Sequence, residues 1–283
     1  MDLSVRVSTA RNLFKLGLLF AVFVLPPAAI GFAVGGWSVA TLFLFAALLT
    51  AATIYAYCDR FVLSMLAARE LLVGERPALH STVGALAAKA GVVKPRLYLI
   101  RDGFPRSLSV GRGPASSSIV LSLGLITAAS PAELEGLIAH ELTHVRNHDV
   151  AVQTASVTVA ATLVELTRFA GYFQRGLLFF FAPIAAAVEN LLLSPKREYI
   201  ADLNAAAICG TPHGLADALL RIEQAGELVS FAASPATEPL YPVNPFDQDD
   251  RLARMFETHP PLPERIRRLR ALDPDWREKL LVA

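Results

Sequence analysis

Residues 130–149 read SPAELEGLIAHELTHVRNHD and form the most strongly punctuated stretch of the chain. Ser130 is a natural helix N-cap, Pro131 suits the first helical position, and Glu133 completes a capping box three residues after the serine. These signals predict a helix running to about Arg146, with Leu134, Leu137, Ile138, Leu142 and Val145 supplying its apolar surface. His140 and His144 lie four residues apart on it, so they share a face with Glu141 alongside. Two neutral imidazoles at that spacing suit a zinc ion, and a catalytic zinc takes three protein ligands and one water. Chance would supply such a pentapeptide on the order of once in a hundred or more chains of this length.

The third ligand has to come from another element. Ser194 and Pro195 open a second predicted helix, which continues through Glu198 and Asp202 to Gly210. Glu198 offers a carboxylate to the metal. Asp202, one turn later, offers an acceptor for the free N–H of a bound imidazole, which would fix its tautomer. Taken alone, the two carboxylates read as an exposed face paired with Lys196 and Arg197; beside the helix that carries His140 and His144, the ligand reading prevails.

The rest of the 283 residues is unusually apolar, at 54% hydrophobic, and unevenly so. Not one residue from Leu16 to Tyr57 is charged, a run long enough for two membrane spans of about 20 residues each. Arg6, Arg11 and Lys15 with the small Ala28, Ala29 and Gly31 resemble a signal peptide, but the second apolar run, Ser38 to Tyr57, favours a hairpin. Residues 1–60 are therefore expected to form an N-terminal transmembrane hairpin. Its turn is placed near Gly31, Gly35, Gly36 and Trp37, and a kink at Pro26 and Pro27. Basic residues flank both ends of the hairpin and none lies in its turn, which places both ends in the cytoplasm. Cys58 and Cys209 match no metal or redox spacing and read as reduced, apolar-site residues. A net charge of +1 gives no field that would recruit nucleic acid.

Residues 150–193 hold two further apolar segments, Val150 to Val164 and Gly176 to Val188, each short for a span. They read as a second hydrophobic hairpin that crosses the membrane, dips into it or is buried as helices. Glu165 and Glu189 read as interfacial helix ends or as functional charges within the membrane. Residues 61–149 and 194–283 make up the expected cytoplasmic catalytic domain. Its predicted parts are a helix over Ala78 to Ala90 and strands at Arg96 to Ile100, Leu108 to Val110 and Ser118 to Leu125. A helix from Thr211, a loop over 232–250 and an Arg-rich helix from Pro261 complete it. In that last helix Arg265, Arg267, Arg268 and Arg270 read as a solvated face or as a contact for anionic lipid. The expected fold class is mainly α with a small β-sheet, together with integral membrane helices.

These residues resemble the gluzincin metalloproteases, and within them the membrane-bound HtpX heat-shock proteases. The likeness covers most of the chain. It rests on His140-Glu141-Leu142-Thr143-His144, on Asp149 just past the second histidine, and on Ser194-Pro195-Lys196-Arg197-Glu198-Tyr199-Ile200-Ala201-Asp202. Thr258-His259-Pro260-Pro261 with Arg265-Ile266, and the order of apolar segments, strands and helices, add to it. One stretch departs: where the family carries an Asn-Ala-Phe-Ala-Thr-Gly-like strand, this chain has Arg106-Ser107-Leu108-Ser109-Val110-Gly111. The larger CAAX-prenyl endopeptidases share the zinc motifs but have more spans than this chain supplies.

The resemblance implies a gluzincin-type zinc endopeptidase in the inner cell membrane, multi-pass, with its active site facing the cytoplasm. It implies one zinc per chain and unfolded or misassembled polypeptides, membrane proteins included, as substrates of a stress-linked quality-control protease. On that reading zinc sits on His140, His144 and Glu198, with Glu141 as the general base. His259 is the candidate partner for the oxyanion and Arg265 a weaker one, with Asp149, Asp202 and Arg265 placed as supporting residues around the metal ligands. Substrate would add as a strand along Ser107, Leu108, Ser109, Val110 and Gly111. The alternatives are a catalytically silent membrane scaffold, against which the intact Glu141 argues, and a processing protease with one dedicated substrate.

Overall fold

The computed structural model describes residues 3–228, 235–242 and 254–273. The uncharged run folds as α1 (Leu3–Met65), whose dihedrals leave the helical range only at Gly35 and Gly36. Gly36, at φ 66°, occupies the left-handed region that a side chain disfavours. There the chain doubles back. Phe20 meets Tyr55 edge-on with ring centroids 5.7 Å apart, and Gly31 packs directly against Val39 and Ala40. Pro26 and Pro27, where a kink is expected, keep helical dihedrals, so the break falls at the glycines instead. Among the described residues α1 is the one helix long and apolar enough to cross a membrane on its own. Phe14, Leu25, Val34, Trp37 and Phe45 are exposed along it.

A four-stranded sheet follows, made of β1 (Arg69–Glu70), β2 (Arg96–Ile100), β3 (Ser107–Gly111) and β4 (Ser117–Ser122) in the order β1-β2-β4-β3. β4 runs parallel to β2 and antiparallel to β3, with Leu108 opposite Val120. That leaves β3 on an edge. α2 (Pro77–Ala90) precedes β2 and closes at Gly91. The predicted strand over Ser118 to Leu125 needs correction: it ends at Ser122, whose hydroxyl accepts from the Leu125 backbone N–H and starts the short α3 (Leu123–Ala128). An N-cap side chain at that point outweighs the apolar run after it.

Helix α4 (Pro131–Arg146) lies beneath the sheet in a core that includes Leu97, Ile119, Leu121, Leu137, Ile138 and Leu142. α5 (Asp149–Leu166) is buried almost end to end, so its uniform apolarity reflects packing on all sides. α6 (Gln174–Leu192) exposes Leu177, Phe179, Phe180 and Ile184 on its outer face. A bend of 48° then leads into α7 (Lys196–Cys209). α8 (His213–Leu228) packs against α4, and α9 (Leu262–Ala271) closes over α7 and α8. The predicted 232–250 loop is structured where it is described: residues 235–240 form a 3-10 turn against α5 and β3. Residues 232–234 and 243–250 of it lie outside the described residues.

The close approach of α4 and α8 depends on Gly136 and Gly214. A Cβ on Gly214 would lie 2.2 Å from the Ala132 carbonyl oxygen, and one on Gly136 would lie 2.5 Å from the Leu215 nitrogen. Both obstacles are backbone, so the helices themselves would have to part. Gly214→Ala is expected to destabilise the protein by about 1–3 kcal/mol, read as a lower unfolding midpoint in detergent.

Candidate active site

Local chemistry aims α4. Ser130 Oγ accepts from the Glu133 N–H at 3.3 Å, and Glu133 Oε2 accepts from the Ser130 N–H at 2.6 Å, so the helix starts on a closed capping box. At its other end His148 takes a left-handed conformation, φ 63°, and the chain turns into α5 at once. That turn brings Asp149 back beside His144, with Nδ1 to Oδ2 at 3.3 Å. Asn12, from the first half of α1, donates to Asp149 Oδ1 at 2.7 Å and to the Asn147 carbonyl at 3.0 Å. The apolar hairpin is thus tied to the end of α4.

Three potential ligand residues converge. His140 Nε2 and His144 Nε2 are 3.2 Å apart, and Glu198 from α7 places Oε2 3.3 Å from the first and Oε1 3.5 Å from the second. Zinc–nitrogen and zinc–oxygen bonds of roughly 2.0–2.2 Å in a tetrahedron set donors about 3.3–3.5 Å apart. The cluster fits that geometry. Its charge fits as well: Glu141, Asp149, Glu198 and Asp202 are buried there against the guanidiniums of Arg197 and Arg265. That surplus of negative charge suits a divalent cation.

Each imidazole has a carboxylate behind it. His140 Nδ1 lies 3.0 Å from Asp202 Oδ1, as His144 Nδ1 lies by Asp149. Burial opposes protonation of both rings, yet the carboxylates prevail. Asp202 and Glu198 raise His140, and Glu198 and Asp149 raise His144 to about 10. Burial would likewise lift Glu198, but His144, His259 and His140 hold it well below the usual carboxylate range. Asp202 is held low, against its own burial, by Arg265 and His140. Ligation needs both rings unprotonated at Nε2, so binding of a cation there would be coupled to proton release.

Glu141 is buried beside this cluster and accepts a 3.0 Å hydrogen bond from Ser107 Oγ on β3. His259 lies opposite, its Nε2 3.8 Å from Glu198 Oε2. Arg265 makes a two-pronged contact with Asp202, at 2.8 and 2.7 Å, and comes 3.7 Å from Glu198 Oε2. Its side chain is buried, whereas Arg267 and Arg268 are exposed and paired with Glu264. All five β3 residues are buried, and the Ser109 hydroxyl has no hydrogen-bond partner among the described residues.

A family model described as Peptidase family M48 matches residues 74–273, which include every one of these groups except Asn12. The chain belongs to peptidase family M48. This M48 chain is 35% identical over 279 residues to a protein named Protease HtpX homolog from Pelotomaculum thermopropionicum, covering 92% of this chain and 99% of that one. It is 36% identical over 277 residues to another of that name from Thermococcus kodakarensis, covering 91% and 95%. Among solved structures it is similar to S. mikatae Ste24p, at 19% identity and a TM-score of 0.44, and spans 66% of that chain.

In the M48 chain some supporting groups carry no sequence signal of their own, and Arg197, read from sequence as part of an exposed face, is buried. Glu238 bonds His259 from the 3-10 turn, in a segment without periodicity. Arg197 reaches Glu198 Oε1 at 3.1 Å and, with Gln153, the Pro239 carbonyl. Arg106, just ahead of β3, has a buried guanidinium that pairs with Asp102 and lies 5.8 Å from the centre of the Tyr241 ring.

Proposed function

We propose that this chain is a zinc-dependent endopeptidase, anchored in the inner membrane with its active site toward the cytoplasm, that cleaves unfolded or misassembled polypeptides. The observation that carries the reading is the spacing of His140 Nε2, His144 Nε2 and the Glu198 carboxylate, with the unliganded Glu141 next to them. Zinc on those three residues would supply Lewis-acid activation of a water and of the scissile carbonyl. Glu141 takes the water's proton and returns it to the departing amine. Asp149 and Asp202 hold the two imidazoles by their Nδ1 atoms, so each Nε2 faces inward. His259 is positioned to donate to the oxyanion as it forms.

Ser107 ties β3 to the base, so the strand that would pair with substrate is also the one that orients Glu141. Substrate adding along β3 needs its burial relieved, which favours extended, unfolded chains over folded ones. Removing the hydroxyl in Ser107→Ala is expected to lower kcat about 10–100-fold at unchanged zinc content, since hydrogen bonds to charged groups contribute roughly 1.5–3 kcal/mol. Steady-state cleavage of a short extended peptide measures it.

The hairpin of α1 serves as the anchor. Both of its ends lie on the side of the catalytic residues, and its exposed apolar surface suits lipid. α6 presents a further apolar face beside it. The test of the whole reading is cleavage of an unfolded reporter by detergent-purified protein. Activity is expected to vanish with chelator and to return with stoichiometric zinc. Purified protein that binds no zinc, or cleavage indifferent to chelation, would discard it.

A further inference from the structure

Three of the six histidines and most of the buried acids belong to the cluster or to ion pairs with arginine, but one buried acid serves a histidine from an unexpected place. Glu238 comes from the 3-10 turn at 235–240, and its side chain is wholly inaccessible to solvent. Oε1 lies 2.7 Å from His259 Nδ1. Oε2 accepts from the Thr258 hydroxyl at 2.7 Å and from the Thr258 backbone N–H at 3.2 Å. The other nitrogen of the same ring, Nε2, faces Glu198.

We infer that Glu238 is a positioning residue for turnover: it fixes the His259 ring so that Nε2 is presented to the carbonyl being attacked. The inference rests on the reading of His259 as the oxyanion partner. A carboxylate can only accept, so the 2.7 Å contact puts a proton on Nδ1 and sets the ring plane; Nε2 then donates to the oxyanion when the ring is an imidazolium with protons on both nitrogens, the form that the Glu238 carboxylate favours. Pro260 and Pro261 stiffen the backbone after His259 but leave its side-chain torsions free. Among the described residues, Glu238 is the group bonded to the Nδ1 side of that ring.

The arrangement is braced from the metal side. Pro239, next to Glu238, offers its carbonyl to Arg197, which contacts Glu198. Arg265, which holds Asp202, donates to the carbonyl of Pro242. The turn that carries Glu238 is therefore fastened by the same two arginines that steady the carboxylates around the histidines. An ordinary structural tie between residues 238 and 258 would not need an imidazole on the second oxygen, and it would not need that imidazole to face Glu198.

The test compares wild type, Glu238→Gln, Glu238→Ala, His259→Ala and the Glu238→Gln/His259→Ala double variant as full-length protein in detergent. Each is assayed for kcat and KM on an extended peptide, for zinc content and for unfolding midpoint. Glu238→Gln is expected to lower kcat about 10–100-fold with KM and zinc unchanged, and to add no further loss in the His259→Ala background. Because glutamine keeps the shape of the side chain, the result stands even where Glu238→Ala unfolds. Wild-type kcat in Glu238→Gln beside an impaired His259→Ala overturns this inference alone. Losses that multiply in the double variant overturn it too, as does a gain in activity, which would mean that the contact restrains His259. Wild-type kcat in His259→Ala removes the reading beneath it.

Discussion

Glu141→Gln is expected to lower kcat on an unfolded reporter by about 10²–10⁴-fold while the protein keeps one zinc per chain. Glu141 directly follows His140 on α4, so the helix sets it beside the ligand face, and no ligand atom of the cluster is lost with it. Glutamine keeps the length of the side chain and an oxygen to accept from Ser107 Oγ, but it cannot take a proton from water. A fall in kcat at constant KM and constant metal content isolates proton transfer. Turnover near wild type would strip Glu141 of that role, and a parallel loss of zinc would move it into the ligand set.

The part of the site that was legible in sequence is the part encoded by helical spacing and capping. Four-residue spacing put His140 with His144, and the Ser130–Glu133 box marked where their helix begins; the helix ends at Arg146, as its apolar pattern indicates. Glu198 and Asp202 are again one turn apart, and both face the imidazoles because α7 crosses α4 with that side inward. Such features depend on neighbours within a few residues. The rest depends on distance along the chain. Glu238 and His259 are bonded although each lies in an aperiodic stretch, and Asn12 joins Asp149 across 137 positions. No local pattern records a pairing of that kind.

The apolar segments show the same boundary from the other side. The Leu16–Tyr57 run predicted two helices with a turn at glycine, and the break at Gly35 and Gly36 lies inside the predicted turn. α5 was equally apolar in sequence, yet its environment is protein: α1, α6, β3 and the 235–240 turn surround it. Composition records that a helix avoids water and does not say what it meets instead. For α5 the contacts decide, and they make it the strut between the hairpin and the catalytic cluster. Asp149 at its start touches His144, Thr154 takes the Gly111 N–H at the end of β3, and Gln153 holds Pro239.

Arg265→Ala is expected to cost about 3–5 kcal/mol of stability and to reduce zinc retention, which is more than removal of a general acid or an oxyanion donor would do to the fold. Sequence offered Arg265 as a supporting residue around the ligands and, more weakly, as a candidate for the oxyanion, and its geometry matches the first of these. Nε and Nη2 grip the two oxygens of Asp202, and Nη1 donates to the Pro242 carbonyl. Burial disfavours its charge, yet Asp202 and Glu198 raise its pKa above the ordinary arginine value. Asp202 is itself buried against His140, so deleting the arginine leaves that carboxylate without its guanidinium in a dry site. Lysine is a point charge and cannot reproduce the fork, so Arg265→Lys should recover only part of the loss. The decisive comparison is with Asp202→Asn/Arg265→Met, in which neither charge remains. That pair should unfold at a higher midpoint than Arg265→Ala, because a missing ion pair costs less than half of one. Denaturant unfolding in detergent, with metal analysis of each variant, gives both numbers. An Arg265→Ala protein as stable as wild type would show that Asp202 does not depend on that guanidinium.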